Sequence, residues 1–191
     1  MKPSVLAAAV ACAALFAAAV PAHAATYAID PTHTFVTFEA LHFGTSTNRG
    51  RFDKKEGTVQ FDRAARTGKV EVKIDMASIN TGVGPFNEHL RGKDFFDASQ
   101  FPTAIFVADR MTFAGDKVTE VPGTLTMLGK AVPVTLKATN FNCYDNPMFR
   151  REVCGGDFET TIKRSQWGMT YGLPGIPDDV RLVIQVEAIK Q

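Results

Sequence analysis

The strictest constraint in this chain is a period of two. Over residues 69–76, Val70, Val72, Ile74 and Met76 alternate with Lys69, Glu71, Lys73 and Asp75. Successive side chains of an extended strand point to opposite sides, so the segment has one dry face and one wet face. Thr58-Val59-Gln60-Phe61 alternates just upstream, and a polar run ending in Gly68 separates the two. The pattern predicts a hairpin, the seed of an antiparallel sheet covered on one side only.

The same logic recurs along the chain. Residues 34–42 place Val36, Phe38, Ala40 and His42 on the more apolar face; Ala104 and Phe106 alternate with Ile105 and Val107 in a strand predicted over residues 103–113. Val132, Val134, Leu136 and Ala138 line one face of a later strand, and Val180, Leu182, Ile184, Val186 and Ala188 line one face of the last. Residues 27–30 read as a short edge strand stopped by Pro31, and Pro122 argues against a central strand around it. Gly50 and Gly57 allow a bend or bulge. Phe86 and Leu90 share one face of a short helix over residues 85–91, ended by Gly92. So short a helix must pack on the sheet or plug an opening. The outcome is one all-β domain with little helix. Sandwich and barrel both fit.

Residues 1–24 are set apart. Lys2 precedes an apolar run over residues 5–20 that ends in Pro21-Ala22-His23-Ala24, which predicts a signal peptide cleaved between Ala24 and Ala25. The run is short for a bilayer span and has no strongly charged flank. Residues 25–191 suffice for one domain with a sizeable core. Without Lys2, the 21 Lys and Arg fall to the same number as the 20 Asp and Glu, a balance that gives no reason to expect nucleic acid as a partner. Cys143 and Cys154 remain in an oxidising compartment, where a structural disulfide is expected. The CxxC spacing of a thiol exchanger is absent, and no third and fourth metal ligand lies nearby in sequence.

Catalytic signatures are weak. His33, His42 and His89 form no HExxH pair, Glu39 and His42 point to opposite strand faces, and no GxSxG elbow surrounds Ser165. Arg49, Arg51, Arg91 and Lys93 read either as surface ion-pair residues or as a positive rim. Of the 15 phenylalanines only Phe16 lies in the leading segment. The rest suit either a filled aromatic core or the wall of an apolar cavity, and periodicity leaves both open.

Several blocks together carry a family resemblance. Asp30-Pro31-Thr32-His33-Thr34 with Phe38 and His42 opens it, and Gly50-Arg51-Phe52 continues it. Asn87-Glu88-His89-Leu90-Arg91-Gly92-Lys93-Asp94-Phe95-Phe96-Asp97 is its most specific stretch. Gly123-Thr124-Leu125-Thr126-Met127-Leu128-Gly129-Lys130 and Arg164-Ser165-Gln166-Trp167-Gly168-Met169 complete it. In these blocks residues 25–191 resemble the YceI-like family of exported, isoprenoid-binding proteins. The resemblance implies a lipocalin-like, extended antiparallel β-barrel with a short helix. It implies an apolar wall of Phe38, Phe52, Phe95, Phe96, Phe106 and Trp167, with a polar rim of His33, His42, Asn87, His89 and Arg91. The implied function is non-enzymatic periplasmic binding, storage or transport of a polyisoprenoid, quinone-like or other long-chain amphiphile, with no further cofactor. A transient membrane contact and a homo-oligomer are both compatible with it. The rival readings are a protein-interaction or stress-response scaffold and, more weakly, an isoprenoid-modifying enzyme. Thr34 stands where many relatives place serine, and the Cys143–Cys154 segment looks less general.

Overall fold

The computed structural model describes residues 24–191; the predicted signal segment over residues 1–24, all but its last residue, lies outside the described residues. The first three long strands are each bent into two pieces. β1 (Ala25–Ile29) and β2 (Phe35–His42) are separated by the Asp30-Pro31 turn, and β3 (Ser46–Phe52) and β4 (Lys55–Asp62) by a bend at Asp53-Lys54. β2 pairs with β3 and β1 with β4. β5 (Thr67–Asp75) passes through a 3-10 turn (Met76–Ser78) into β6 (Ile79–Asn80), pairing β5 with β4 and β6 with β3. The expected hairpin is present, with Val59 opposite Val70.

The helix α1 (Gly84–Arg91) follows, with Pro85 in its first turn, where the missing N–H forfeits no helical bond. The chain then forms β7 (Thr103–Ala108), β8 (Thr112–Ala114), β9 (Lys117–Met127), β10 (Lys130–Asn146), β11 (Arg151–Lys163) and β12 (Asp179–Lys190). All pairings are antiparallel. β1, β4, β5, β7, β9, β10, β11 and β12 form a ring, because β12 returns to β1.

That closure decides between the two architectures that periodicity allowed: the fold is a barrel. It also corrects the reading of β1 as an edge strand, since Tyr27 faces Val59 on one side and Lys190 on the other. A closed ring leaves no unpaired edge. The strand expected over residues 103–113 is two strands, β7 and β8, each paired with β9. Pro122 sits inside β9 after all. On the β7–β8 side its position falls between the Val107–Thr124 and Thr112–Glu120 pairs, where the neighbouring chain has left the ladder. A missing N–H costs little there.

The dry faces point inward as the alternation predicts. Gly50 has a different task from the expected bend. It lies opposite Phe38, and a Cβ built on it would come 2.5 Å from Cζ of that ring. At Gly123, two residues from the Leu125 that pairs with Phe106, a Cβ would likewise come 2.5 Å from Cζ of Phe106 and also 2.6 Å from the Val107 carbonyl oxygen. Each glycine makes room for an aromatic ring laid across its backbone.

Candidate functional site

The inner faces do not meet. They enclose a cavity of about 700 Å³ running along the barrel, within the range of small-molecule sites. Its wall is built from the strand residues that alternation marks as dry: Val36, Phe38 and Ala40 from β2, Val70, Val72 and Ile74 from β5, and Val180 to Ala188 at every second position of β12. Phe86 and Leu90 of α1 also face inward, so the short helix covers part of the opening.

One end is sealed. Phe61 packs against Tyr27, Phe113 and Phe141, with ring centroids 5.7 to 6.3 Å apart. The Tyr27 hydroxyl donates to Glu152 Oε1. Burial, reinforced by that carboxylate, pushes the phenol well above its ordinary pKa; the same hydrogen bond holds Glu152 below its own. Arg63 and Lys190 also reach Glu152, at 3.3 and 3.6 Å. At the same end Cys143 and Cys154 face each other across β10 and β11 and are joined by the expected disulfide. The segment between them is the tip of a β-hairpin rather than a free loop.

The other end is the mouth, framed by the β2–β3 turn, α1 and residues 168–178. Phe43 is 63 % exposed and Tyr171 48 % exposed, yet both line the cavity. His42 packs edge-on against Phe43 at 4.8 Å, and His89 against Phe95 at 4.9 Å and Tyr171 at 5.6 Å. Among the described residues neither imidazole hydrogen-bonds a carboxylate or hydroxyl, the arrangement that activates a nucleophile.

Of the proposed apolar wall, Phe38, Phe52, Phe95, Phe96 and Phe106 line the cavity. Trp167 does not. It is 1 % exposed, and its indole N–H donates to the Leu125 carbonyl at 3.2 Å, which fixes the ring behind the wall. Of the proposed rim, His42 and His89 line the cavity, whereas the other three are engaged elsewhere. His33 is bonded to Asp30 at 2.7 Å in the β1–β2 turn. Asn87 Oδ1 accepts from the Thr81 backbone N–H and hydroxyl at 2.8 and 2.7 Å, tying α1 to the preceding loop. Arg91 donates to the Ala77 carbonyl at 2.9 Å and pairs with Glu88. Arg49 and Arg51 form ion pairs with Glu39 and Asp53. Asn48, Tyr171 and Arg164, which also line the cavity, carried no such reading in the sequence; only the mouth geometry brings them together.

Comparison with known proteins agrees with this architecture. Residues 27–188 match the YceI-like domain. A UPF0312 protein of Pseudomonas aeruginosa (strain LESB58) is 34 % identical over 181 residues, covering 93 % of each chain. Protein YceI of Salmonella arizonae is 33 % identical over 171 residues, covering 88 % of each. Among solved structures, BcnA of Burkholderia cenocepacia superposes with a TM-score of 0.69 at 28 % identity, covering 83 % of this chain and 98 % of BcnA. A polyisoprenoid binding domain from Saccharophagus degradans gives 0.65 at 18 % identity, over 88 % of this chain and 100 % of the domain, a likeness of fold.

Proposed function

Because the chain belongs to the YceI-like family, we propose that it is a non-enzymatic periplasmic protein that binds, stores or carries a long-chain amphiphile, a polyisoprenoid or quinone-like molecule above all. The observation that carries this reading is the cavity itself: about 700 Å³ lined almost throughout by aliphatic and aromatic side chains. Burial of a cargo's apolar surface supplies roughly 25 cal/mol for each Å² removed from water. Little polar pairing is needed along the chain of such a ligand. The signal-like leading segment and the disulfide support export to an oxidising compartment. The exposed Phe43, Tyr171 and Leu173 beside the mouth support a transient contact with a bilayer during exchange.

Native mass spectrometry of protein purified from its exported compartment, with organic extraction, tests the proposal. A stoichiometric long-chain amphiphile is the expected result. A clean apo mass that persists after mild purification and incubation with polyprenols, quinones and fatty acids overturns it and favours an interaction scaffold.

A further inference from the structure

Arg164 is a buried cation at the mouth of an apolar cavity. It opens a 3-10 turn (Arg164–Trp167) after β11, is 3 % exposed, and lines the cavity. Its Nε donates to the Pro177 carbonyl at 3.0 Å, Nη1 to Met169 at 3.0 Å and Nη2 to Ile176 at 2.9 Å. These bonds fold residues 168–178 over the mouth. They use three N–H groups of a guanidinium that has five, leaving two without an acceptor among the described residues.

The charge is also uncompensated at contact distance. Asp178, the nearest acid in the loop, accepts instead from the Ser165 backbone N–H at 2.8 Å and hydroxyl at 2.7 Å. Asp178 acts on Arg164 only through space; the carbonyl partners satisfy hydrogen bonds but leave the buried guanidinium with no carboxylate in contact, a costly arrangement in apolar surroundings. The end with the aromatic cluster differs: Glu152 there is met by Tyr27, Arg63 and Lys190. The two ends therefore differ: Glu152 is in direct contact with its cations, whereas Arg164 has no carboxylate in contact with it among the described residues.

From this geometry we infer that Arg164 is the headgroup anchor, donating its free N–H groups to an oxyanion, carboxylate or phosphate, at the end of the cargo's apolar chain. The inference rests on the reading of the cavity as an amphiphile site and adds the class of headgroup. A planar guanidinium already held by three carbonyls is pre-oriented, so little side-chain freedom is lost when it binds an oxyanion. The chain then extends away from the mouth along Phe38 and Phe106 toward Phe61.

The test is a headgroup series at fixed chain length on the delipidated mature protein, each probe kept below its micelle concentration. The probes are palmitate, hexadecyl phosphate, palmitamide and hexadecanol. The expected result is at least about tenfold tighter binding of the two anions than of the two neutral probes, with the order of the anions telling carboxylate from phosphate. In Arg164→Gln, with the fold checked by circular dichroism, the preference should collapse to within about twofold. Equal binding of all four by the wild type overturns the anchor and leaves the amphiphile reading standing. Failure of all four to bind overturns both. A preference that survives Arg164→Gln assigns the anion to another group and overturns the role of Arg164. Where Arg164→Gln fails to fold, Arg164→Lys takes its place and should weaken the anion preference by losing the planar fork; an unchanged preference there overturns the role of Arg164, and equal binding of all four probes by the wild type overturns the anchor without any variant.

Discussion

Gly50→Ala is the most informative single change, because its effect on stability and its effect on the cavity are one event. The added Cβ would stand 2.5 Å from Cζ and 2.7 Å from Cε1 of Phe38, and 3.0 Å from the Thr81 methyl. Carbon atoms sit best at roughly 3.5–4.0 Å, so the ring must retreat by about 1 Å. Overpacking of this kind costs roughly 1–3 kcal/mol. The ring has somewhere to go, because Phe38 faces the cavity; the cost should lie near the lower limit, about 1 kcal/mol. For a domain of this size that lowers Tm by roughly 2–4 °C. The ring then takes up space that the cargo needs, so retention of a long-chain probe should weaken as well. In a Phe38→Ala background the clash with the ring disappears. Gly50→Ala should there be neutral, or stabilising by up to about 1 kcal/mol through reduced backbone freedom. Urea unfolding of the four proteins in the cycle gives the coupling directly. Equal cost of Gly50→Ala with and without the Phe38 ring would refute the account and return Gly50 to a purely backbone role.

Three further outcomes are expected. Trp167→Phe should lose about 1 kcal/mol with its hydrogen bond to Leu125 and keep wild-type probe affinity, whereas Phe106→Ala should weaken retention; an affinity loss in Trp167→Phe would place the indole on the wall. Cys143→Ala/Cys154→Ala should lower stability by about 3 kcal/mol, read as a shift in urea midpoint, and an unchanged midpoint would show that the hairpin needs no crosslink. The Asp30–His33 pair should shape stability against pH. Burial raises the Asp30 pKa, but hydrogen bonds from His33 and Thr32 outweigh it and hold the group at about 2. Its contribution is thus present above the ordinary carboxylate range and is lost as pH falls toward 2. The Asp30 carboxylate raises the His33 pKa, so that contribution is present below the ordinary imidazole value and is lost as pH rises through the raised one. Urea midpoints of wild type and His33→Ala should differ most near pH 5 and converge on both sides, and parallel profiles would contradict this.

Local periodicity made the strands legible because each has one face against the cavity and one in water. Val70, Val72 and Ile74 needed only their own spacing to be placed. Closure was not legible in the same way. β1 has five residues, and its double pairing joins positions far apart in sequence. The phenylalanines of the wall were readable by type. Polar residues were harder, since His33, Asn87 and Arg91 have the same donors as a rim residue but spend them on nearby backbone and carboxylates. Trp167 failed for a related reason: its one N–H found a strand carbonyl. Arg164 stood in a recognised block, yet its burial depends on a loop that returns to it from residues 169–177.

The return of β12 to β1 and β2 also governs the order of assembly. A chain is synthesised from its N-terminus, and the partner that β1 and β2 need on that side is the final strand. Until β12 arrives, the sheet is an open, curled ribbon with β1 and β2 along one free edge and β11 along the other. Joining those edges is the longest loop closure in the molecule, which makes it the slow, high-contact-order step. The nascent protein is therefore a trough before it is a tube, with its apolar lining accessible along its whole length rather than through the mouth alone.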